Sequence, residues 1–580
     1  MTPSNESVMA ALRELISYTK LEDGKSQSFR TRAYEKAVDA IASNASRVCD
    51  MTLAELTEID GIGDSTARKI LEFSSTGEIA KVERLKDRFP PSMIELMRIP
   101  GLGPKRVLLL QDSLQVVDVE GLTRAIEKQQ LRTLPGLGEK SEEKIAQAIS
   151  LLGLHSDDSR MEIADAMETA HRVISELESV DGVLTIEYAG SLRRLSETIG
   201  DIDILVTADS GSLVVEAFVN LPGVTAILGS GTTKASIVMG DRVQVDLRVV
   251  PTESLGAALM YFTGSKAHNI ALRTRAIERG MTLNEYSLSD VNSGDVVAAK
   301  TEADIYAKLD LPWIAPELRE DTGEISAAEN GTLPAPIAQE ELRGDLHVHT
   351  SWSGDGRSSL HDMLDAAVEL GMEFIAITDH AEDLVMNGLS EERMLGQRRE
   401  IESLRPSYPT LTILHGAELN IGRDGSIDYS PTFLDGFDFG VASIHSYFEL
   451  SVAEQTERLL AAIENPAVNV IGHPSGRMLG KRGGIEFDAD AVFAAASSSG
   501  TALEINSHLK RLDLSAPMLR RAVETTDVLF AISTDAHHVS AYNHQRWGVA
   551  QARRGWVPSH RVVNCLQLDD FLAWVGERRN

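Results

Sequence analysis

The chain has 580 residues, and its 56 Lys and Arg against 87 Asp and Glu give a net charge of -31 at pH 7. This length predicts about three or four domains, each able to bury its own core. No apolar run reaches about 20 residues, which excludes a predicted membrane span, and the first residues show no secretory signal. Cys49 and Cys565 are the only cysteines, which excludes a disulfide framework and favours a reducing cytoplasm.

The negative charge is unevenly distributed along the chain. Residues 1–108 carry 16 Lys and Arg and 16 Asp and Glu, so the whole deficit lies in the remainder. Charges more than about 8 Å apart are strongly screened at physiological salt. Local basic surfaces can therefore bind DNA phosphates, and an acidic composition does not exclude a nucleic-acid ligand.

A repeated glycine pattern follows helix-like residues 8–48, with copies at Ile59–Gly63, Ile99–Gly103 and Leu134–Gly138. It predicts helix-hairpin-helix elements, in which glycines permit a tight turn and N–H groups at the next helix bind a phosphate. An ordinary glycine-turned helical hairpin is the alternative, but basic residues after the first two copies favour DNA binding. The third copy precedes EKSEEK, so its phosphate contact is predicted to be weaker. The predicted DNA contacts are Gly61, Gly63, Gly101, Gly103, Lys105, Gly136 and Gly138.

Lys69 lies on the helix that leaves the first hairpin. A partly desolvated lysine in a cationic setting has a lowered pKa and can form a Schiff base. The alternative interpretation is a solvated helix lysine without chemistry.

Residues from about 160 to 318 predict a mixed α/β region. Asp201 and Asp203 lie two residues apart on a predicted strand, so both carboxylates point one way, and Asp246 joins them from the strand VQVDLRVV. Three such carboxylates can hold two Mg²⁺ ions for nucleotidyl transfer, whereas a surface acid pair is the alternative. The preceding Gly190, Ser191 and Arg194 suit a triphosphate.

The last 240 residues alternate strands and helices, which predicts a βα barrel with polar residues at the C-terminal ends of its strands. Residues 320–340 are acidic, rich in Ala and Pro and without periodicity, and predict a linker. Oxygen and nitrogen ligands without a nearby Cys favour a multinuclear hydrolytic site, with Glu418 as the bridging residue. The nine candidate metal ligands are His347, His349, Asp355, His380, Glu418, His445, His473, Asp535 and His537.

The motifs GSLRRLSETIGDID, VQVDLR and YFTGSKAHN, in that order after the hairpins, resemble the family X DNA polymerases related to polymerase β, over about residues 5–318. The resemblance implies that Asp201, Asp203 and Asp246 are the catalytic metal ligands and that Lys69 is a 5′-deoxyribose-phosphate lyase nucleophile. It further implies that the incoming nucleotide is bound by Gly190, Ser191, Arg194, Tyr261, Phe262, Gly264, Asn269 and Arg273.

Three residues differ from the family pattern. Leu195 stands where the family usually has Gly, Gln244 where polymerase β has an Arg that supports the carboxylates, and Ser65 where the lyase region usually has a Lys. The rate of polymerisation and the presence of lyase activity therefore stay open.

The motifs DLHVHT, TDH, GAELN, SIHS, GHP and STDAH resemble the PHP domain. The resemblance implies a distorted (β/α)7 barrel with a trinuclear Zn²⁺ or Mn²⁺ centre. All nine ligand positions are filled. Asp355 is the least secure of them, because Gly354 is inserted beside it.

The predicted fold class is therefore multidomain: an α-helical helix-hairpin-helix region, an α+β palm and thumb like those of polymerase β, and a C-terminal distorted (β/α)7 barrel. The predicted boundaries are 1–88 for the lyase-like domain with the first hairpin, 89–158 for the helix-hairpin-helix or fingers region, 159–250 for the palm, 251–319 for the thumb, 320–340 for the linker and 341–580 for the PHP domain.

This order of parts resembles the bacterial and archaeal family X polymerases with a PHP domain. It implies gap filling in base excision repair, with 3′–5′ exonuclease activity and, as an open option, abasic-site endonuclease activity. Mg²⁺ or Mn²⁺ is expected at the polymerase site and two or three Zn²⁺ or Mn²⁺ ions in the PHP domain. The expected partners are gapped or nicked double-stranded DNA and dNTPs, without a membrane, for a cytoplasmic, nucleoid-associated monomer.

Three alternatives remain. Leu195 and Gln244 leave open a DNA-binding repair nuclease with weak or lost polymerase activity. A PHP small-molecule phosphatase fused to a DNA-binding module is the second. The third, a non-catalytic repair scaffold, is disfavoured by the complete set of metal ligands.

Overall fold

The computed structural model describes residues 5–42, 47–97, 99, 101–152, 160–240 and 243–578. As far as they are described, these residues form two compact units, Met1–Arg160 with Val219–Gly231 and Ala235–Val245, and Met161–Phe218 with Thr232–Lys234 and Asp246–Asn580. The predicted boundary between residues 158 and 159 lies outside the described residues. Within the described chain, no helix has both the length and the apolar character needed to cross a membrane.

The N-terminal residues are helical, as their apolar spacing predicts. The helices are α1 (Asn5–Asp23), α2 (Phe29–Ala42), α3 (Leu53–Glu58), α4 (Asp64–Thr76), α5 (Ala80–Arg88), α6 (Pro91–Leu96), α7 (Pro104–Leu114), α8 (Val119–Glu127) and α9 (Glu139–Leu152). Their apolar faces meet in one core, in which Leu12, Ile70 and Leu122 are fully buried. The predicted hairpins join α3 to α4 and α6 to α7, and the third leads into α9 from a short 3₁₀ turn at Leu131–Thr133.

The middle of the chain contains the predicted mixed α/β elements. They are β1 (Met161–Glu162), α10 (Ile163–Glu178), β2 (Val183–Tyr188), α11 (Gly190–Arg193), β3 (Thr198–Ile199), β4 (Asp201–Ala208), α12 (Gly211–Val219), β5 (Val224–Ser230), β6 (Lys234–Met239) and β7 (Val243–Val249). The strand order of the larger sheet is β2-β4-β7-β6-β5. Alternation places Ile202, Ile204 and Val206 in the core and leaves Asp201 exposed.

The thumb-like region follows. It consists of α13 (Leu255–Thr263), α14 (Lys266–Glu278), β8 (Met281–Leu283), β9 (Leu288–Asp290), β10 (Val296–Ala298) and α15 (Glu302–Lys308). Residues 320–340, predicted as a linker, contain the short helix α16 (Glu324–Asn330). Glu324 is fully buried, with its Oε1 2.5 Å from Nδ1 of the equally buried His268. This tertiary contact anchors a helix that local periodicity does not reveal.

The C-terminal region is a nearly closed parallel barrel. Its strands are β11 (Gly344–Val348), β12 (Phe374–Ile377), β13 (Thr412–Asn420), β14 (Phe439–Ser443), β15 (Val470–Gly472), β16 (Ala502–Asn506) and β17 (Phe530–Ser533). Its helices are α17 (Leu360–Glu369), α18 (Glu391–Leu404), α19 (Pro431–Leu434), α20 (Val452–Glu464), α21 (Ala489–Ser499), α22 (Ala516–Thr525), α23 (Gln545–Arg554) and α24 (Leu568–Arg578). Neighbouring strands pair in sequence order, and a parallel bridge from Val348 to Ala536 brings the first strand to the end of the last.

The expected fold class is confirmed by this arrangement of helical hairpins, palm, thumb and barrel. The barrel strands are mostly apolar, because helices cover the outside and side chains fill the inside. Buried polar residues such as His347, Glu418 and Asn506 lie towards the C-terminal ends of their strands, which positions the site described next.

Candidate functional site

The three hairpin glycines with positive φ adopt a conformation that other residues avoid. Gly61, Gly101 and Gly136 have φ of +95°, +91° and +79°. A Cβ on Gly61 would lie 3.1 Å from the carbonyl oxygen of Lys36, so that turn also lacks space for a side chain. Gly63 and Gly103 occupy the cap positions of α4 and α7, and both are exposed. Gly138 is likewise exposed directly before α9, and Lys105 is exposed in the first turn of α7.

Arg106 joins two of the hairpins. Its Nη1 donates to the carbonyl oxygen of Gly101 at 2.7 Å, and its Nη2 donates to that of Gly136 at 3.2 Å. The second and third turns are thus tied to one guanidinium.

Lys69 is partly buried against neighbouring groups. Its Nζ donates to the carbonyl oxygen and to Oγ of Ser65, at 2.8 and 2.9 Å, and lies 5.4 Å from the ring centroid of Tyr34. Burial and then the charge of Lys81 lower the pKa of Lys69. A lowered pKa favours the neutral amine that a Schiff base requires, so the surroundings suit the predicted chemistry.

The three predicted carboxylates of the palm influence one another. Burial first, then the charges of Asp201 and Asp246, raise the pKa of Asp203 to about 7. Gly190, with φ of +63°, lies so close that a Cβ there would collide with Oδ2 of Asp203. Such mutual repulsion is typical of carboxylates that share a cation, so these residues fit the divalent metal implied by the sequence.

The raised pKa of Asp203 predicts that, without metal, ionisation of its carboxylate lowers the free energy of unfolding in a pH-dependent way. Because the pKa of Asp203 in the folded state exceeds the unfolded value of 3.8, the folded state loses stability as pH rises from about 4 to 7. Above pH 7 this loss of stability has reached its full size. Asp203→Asn should therefore stabilise the metal-free protein by up to about 4 kcal/mol at pH 8 and by less at pH 5. Thermal unfolding in EDTA measures this, and a less stable variant at pH 8 contradicts it.

Three of the eight predicted nucleotide-binding residues, Tyr261, Asn269 and Arg273, line one shallow, open pocket. The rings of Tyr261 and Phe262 meet edge to face, with centroids 5.1 Å apart. Asn269 Nδ2 donates to the carbonyl oxygen of Tyr261 at 2.7 Å, and Arg273 Nε donates to that of Asn269 at 3.2 Å. These contacts place an aromatic ring, an amide and a guanidinium side by side, the groups that the resemblance assigns to the incoming nucleotide.

Arg194 is held between the palm, the thumb and the linker. Its Nη1 donates to the carbonyl oxygen of Thr263 at 2.6 Å, and its Nε donates to Oε1 of Glu320 at 3.0 Å. Gly264 lies close by, where a Cβ would be 3.3 Å from Arg194 Nη1. Leu195 adopts φ of +53°, a left-handed conformation that costs a leucine free energy and a glycine almost none. The left-handed backbone thus explains why the resembled family usually has Gly at this position, whereas Leu195 adopts it at a cost in free energy.

Glu418 lies at the centre of the barrel cluster. Its Oε1 is 3.4, 3.2 and 3.0 Å from Nε2 of His347, His445 and His473, respectively. Its Oε2 is 2.7 Å from Nδ1 of His380 and 3.6 Å from Nε2 of His349. The two oxygens of one carboxylate therefore face different groups of imidazoles.

The remaining predicted ligands complete the cluster. Asp535 Oδ1 lies 3.3 Å from Nε2 of His349. Asp355 Oδ2 lies 3.2 Å from Nε2 of His380 and 3.5 Å from Nε2 of His537. All nine residues are brought together at the C-terminal ends of the strands, including Asp355, whose position was the least secure.

The cluster has the chemistry of a metal centre. Ligand atoms within 4.8 Å of one another occur in three overlapping sets, namely His349, His380 and His537; His347, His349 and Glu418; and His380, Glu418 and His445. Several buried ring nitrogens and carboxylate oxygens make no hydrogen bond to any described residue, among them His347 Nε2, both ring nitrogens of His349, and Asp355 Oδ1. Buried polar atoms normally have partners, so these residues fit a bound divalent cation.

Backbone strain occurs at two of the candidate ligands. His473 has φ of +26° and Asp535 has φ of +55°. Non-glycine residues keep such conformations where the surrounding structure imposes them, which is frequent at functional sites.

Sequence reasoning missed two residues that orient the imidazoles. Glu504 Oε1 lies 2.7 Å from Nδ1 of His347, and its Oε2 accepts from the backbone N–H of His473. Asn420 Oδ1 lies 2.8 Å from Nδ1 of His445. Such outer partners fix the ring orientation of ligating histidines. A signal was available in the sequence. Asn420 follows the candidate ligand Glu418 in the motif GAELN, and Glu504 lies in TALEIN, at another predicted strand of the barrel.

Five family profiles match the chain: a helix-hairpin-helix domain at residues 3–79, a helix-hairpin-helix tandem at 93–150, the DNA polymerase beta palm at 160–233, the DNA polymerase beta thumb at 258–320 and the PHP domain at 345–508.

Curated relatives extend the similarity across the whole chain. The DNA polymerase/3′-5′ exonuclease PolX of Bacillus subtilis is 35% identical over 573 residues, which covers 98% of this chain and 99% of that protein. DNA polymerase lambda of Rattus norvegicus is 27% identical over 50% of this chain and 52% of its own length. A probable phosphatase of Thermoanaerobacter is 29% identical over 33% of this chain and 78% of its own length. The chain therefore belongs to the family X DNA polymerases that carry a C-terminal PHP domain.

Proposed function

We propose that the chain fills short gaps in DNA by two-metal nucleotidyl transfer and removes 3′-terminal nucleotides with its PHP domain. The proposal rests on the barrel cluster of candidate ligands and on three palm carboxylates close enough to raise the pKa of Asp203, in one chain with a relative along its whole length named as a polymerase and 3′–5′ exonuclease. Abasic-site cleavage by the same PHP cluster is a second activity to test, because it too hydrolyses a DNA phosphodiester.

In the polymerase half, Asp201, Asp203 and Asp246 would hold Mg²⁺ or Mn²⁺. Bound there, the ions would activate the primer 3′-hydroxyl and stabilise the leaving pyrophosphate. Gly190, Ser191 and Arg194 would contact the triphosphate. The sugar, base and template pair would be contacted by Tyr261, Phe262, Gly264, Asn269 and Arg273.

In the PHP half, the nine ligands would hold two or three Zn²⁺ or Mn²⁺ ions, with Glu418 between them. Such ions would supply hydroxide at neutral pH and polarise the scissile phosphate. Glu504 and Asn420 would keep the imidazoles of His347 and His445 in their ligating orientations.

The substrate we propose is gapped or nicked double-stranded DNA, together with dNTPs. The hairpin glycines and Lys105 would bind phosphates of the DNA backbone without reading sequence. We further propose that the protein acts as a monomer in the cytoplasm, on DNA of the nucleoid.

One duplex with a gap and a 3′-terminal mismatch tests both activities in Mn²⁺. Removal of the mismatched nucleotide followed by extension with dNTPs is the expected result. Digestion without extension would favour the nuclease alternative that Leu195 and Gln244 left open. Rapid hydrolysis of histidinol phosphate without attack on DNA ends would favour the small-molecule phosphatase.

Lys69 provides a separate prediction. If it is the lyase nucleophile, borohydride should trap the protein on DNA with a 5′-deoxyribose phosphate, and Lys69→Ala should reduce that adduct at least about 100-fold, because burial and the charge of Lys81 lower the pKa of the Lys69 amine. Lys25→Ala, at an exposed lysine of the same unit, is the control. An unchanged yield of adduct in Lys69→Ala would remove Lys69 from this role.

A further inference from the structure

The loop of residues 190–197 carries three of the predicted triphosphate contacts, and side chains of the barrel hold it. Arg554 and Gln551 belong to α23, and Arg477 follows β15 by five residues. These three residues lie far from residues 190–197 in sequence, but each touches that loop or a side chain that it carries.

Arg554 contacts the residues on both sides of Leu195. Its Nη1 donates to the carbonyl oxygen of Arg194 at 3.0 Å and lies 3.3 Å from Oγ of Ser196. The same Nη1 is 3.1 Å from Oε1 of Glu320, which also accepts from Arg194 Nε at 3.0 Å. One carboxylate thus joins the barrel arginine to the predicted triphosphate arginine.

Glu197 provides the second attachment. Its Oε1 accepts from Arg477 Nη2 at 2.7 Å and from Gln551 Nε2 at 2.6 Å. Arg477 is itself fixed, because its guanidinium donates to the carbonyl oxygens of Arg511 and Leu512. Although burial opposes ionisation of Glu197, the charge of Arg477 and these hydrogen bonds keep its pKa below the ordinary value. The attachment is therefore a charged pair near neutral pH.

Leu195 lies between the two attachments with φ of +53°. A leucine in the left-handed region is strained and persists only where its neighbours determine the backbone. Arg554 contacts the residue on each side of Leu195, and Glu197 fixes the loop two residues further on. These contacts supply the constraint that the leucine requires.

We propose that Arg554 and Glu197 are positioning residues for the polymerase reaction, through which the barrel keeps Arg194 in place to receive the nucleotide triphosphate. The proposal rests on the proposed polymerase function. If it holds, the affinity of the polymerase site for dNTP depends on residues of the PHP domain. Hydrolysis in the barrel would not depend on Arg554.

The test uses full-length protein and single-nucleotide gap filling. Arg554→Ala and Glu197→Ala should each raise KM for dNTP about tenfold while kcat changes by less than about threefold. Arg554→Lys should recover part of the affinity, since an ammonium reaches one of the three acceptors. Leu195→Gly combined with Arg554→Ala should recover at least about threefold, because glycine adopts positive φ without the constraint.

Arg553→Ala is the matched control. Arg553 precedes Arg554 on α23 but donates to the carbonyl oxygen of Ile337 and pairs with Glu317, without a described contact to the loop. Its KM for dNTP should equal that of the wild type. The rate of 3′–5′ digestion should stay unchanged in Arg554→Ala, and its fall in melting temperature should be no larger than that of Arg553→Ala, which also loses a part-buried ion pair.

Values of KM within twofold of the wild type in both Arg554→Ala and Glu197→Ala overturn the proposal. A uniform loss of kcat, digestion rate and melting temperature overturns it as well, because the contacts then serve domain packing alone. Wild-type protein that fails to extend any primer contradicts the proposed polymerase function instead. In that case dNTP binding to the gapped complex in Ca²⁺ still compares the variants.

Discussion

Asp203→Ala is expected to abolish gap filling, with a fall in kcat of at least about 1,000-fold, and to leave 3′–5′ digestion unchanged. Burial and the charges of the neighbouring carboxylates raise the pKa of Asp203 to about 7. A bound cation would offset the repulsion between this carboxylate and its neighbours, and alanine provides no atom that can ligate the cation. Extension of a labelled primer across a single-nucleotide gap, followed over time, measures the loss.

Asp209→Ala is the control for this substitution. Asp209 follows β4 directly and is exposed, and its backbone N–H bonds to the carbonyl oxygen of Gly182. Gap filling should stay within twofold of the wild type in that variant. Extension by Asp203→Ala at more than a tenth of the wild-type rate would show that the palm ligands lie elsewhere.

Glu418→Gln is expected to lower 3′–5′ digestion by about 100-fold or more and to leave gap filling intact. The two oxygens of Glu418 face five imidazoles. Glutamine keeps the shape of the side chain but removes its charge, and it replaces one carboxylate oxygen with an NH₂ group that cannot ligate a cation. Digestion of a 3′-labelled strand gives the rate, and elemental analysis of the purified protein gives the metal content, which should fall by at least one ion.

Glu457→Gln, at an exposed glutamate of α20, is the matched change outside the cluster. It should leave both digestion and metal content unchanged. Full metal content together with undiminished digestion in Glu418→Gln would exclude a bridging role for this residue.

Sequence was sufficient for the fold class because the two halves carry different local patterns. Alternation around Asp201 and Asp203 predicts β4 and its buried face, and polar motifs at regular strand ends predict the barrel and the cluster. The expected roles of these residues stay predictions, which the substitutions above test.

Other features depend on contacts across long stretches of sequence. The helix Glu324–Asn330 is anchored by the buried pair of Glu324 with His268, and no local pattern reports such a pair. The partner of Arg194 is Glu320, 126 residues away. Glu504 is a single acidic residue in an otherwise apolar strand, and the sequence does not show that it lies next to His347.

The guanidinium of Arg106 bears on how the second and third hairpin turns would bind DNA. Because it bonds to the turns of both Gly101 and Gly136, the distance between those two turns cannot change without breaking one of the bonds. If each turn binds one backbone phosphate, as proposed, the two phosphates would be held at a separation that the protein sets. A DNA segment with a different backbone spacing would then contact one turn but not both, and its binding should show the weaker salt dependence of a single contact.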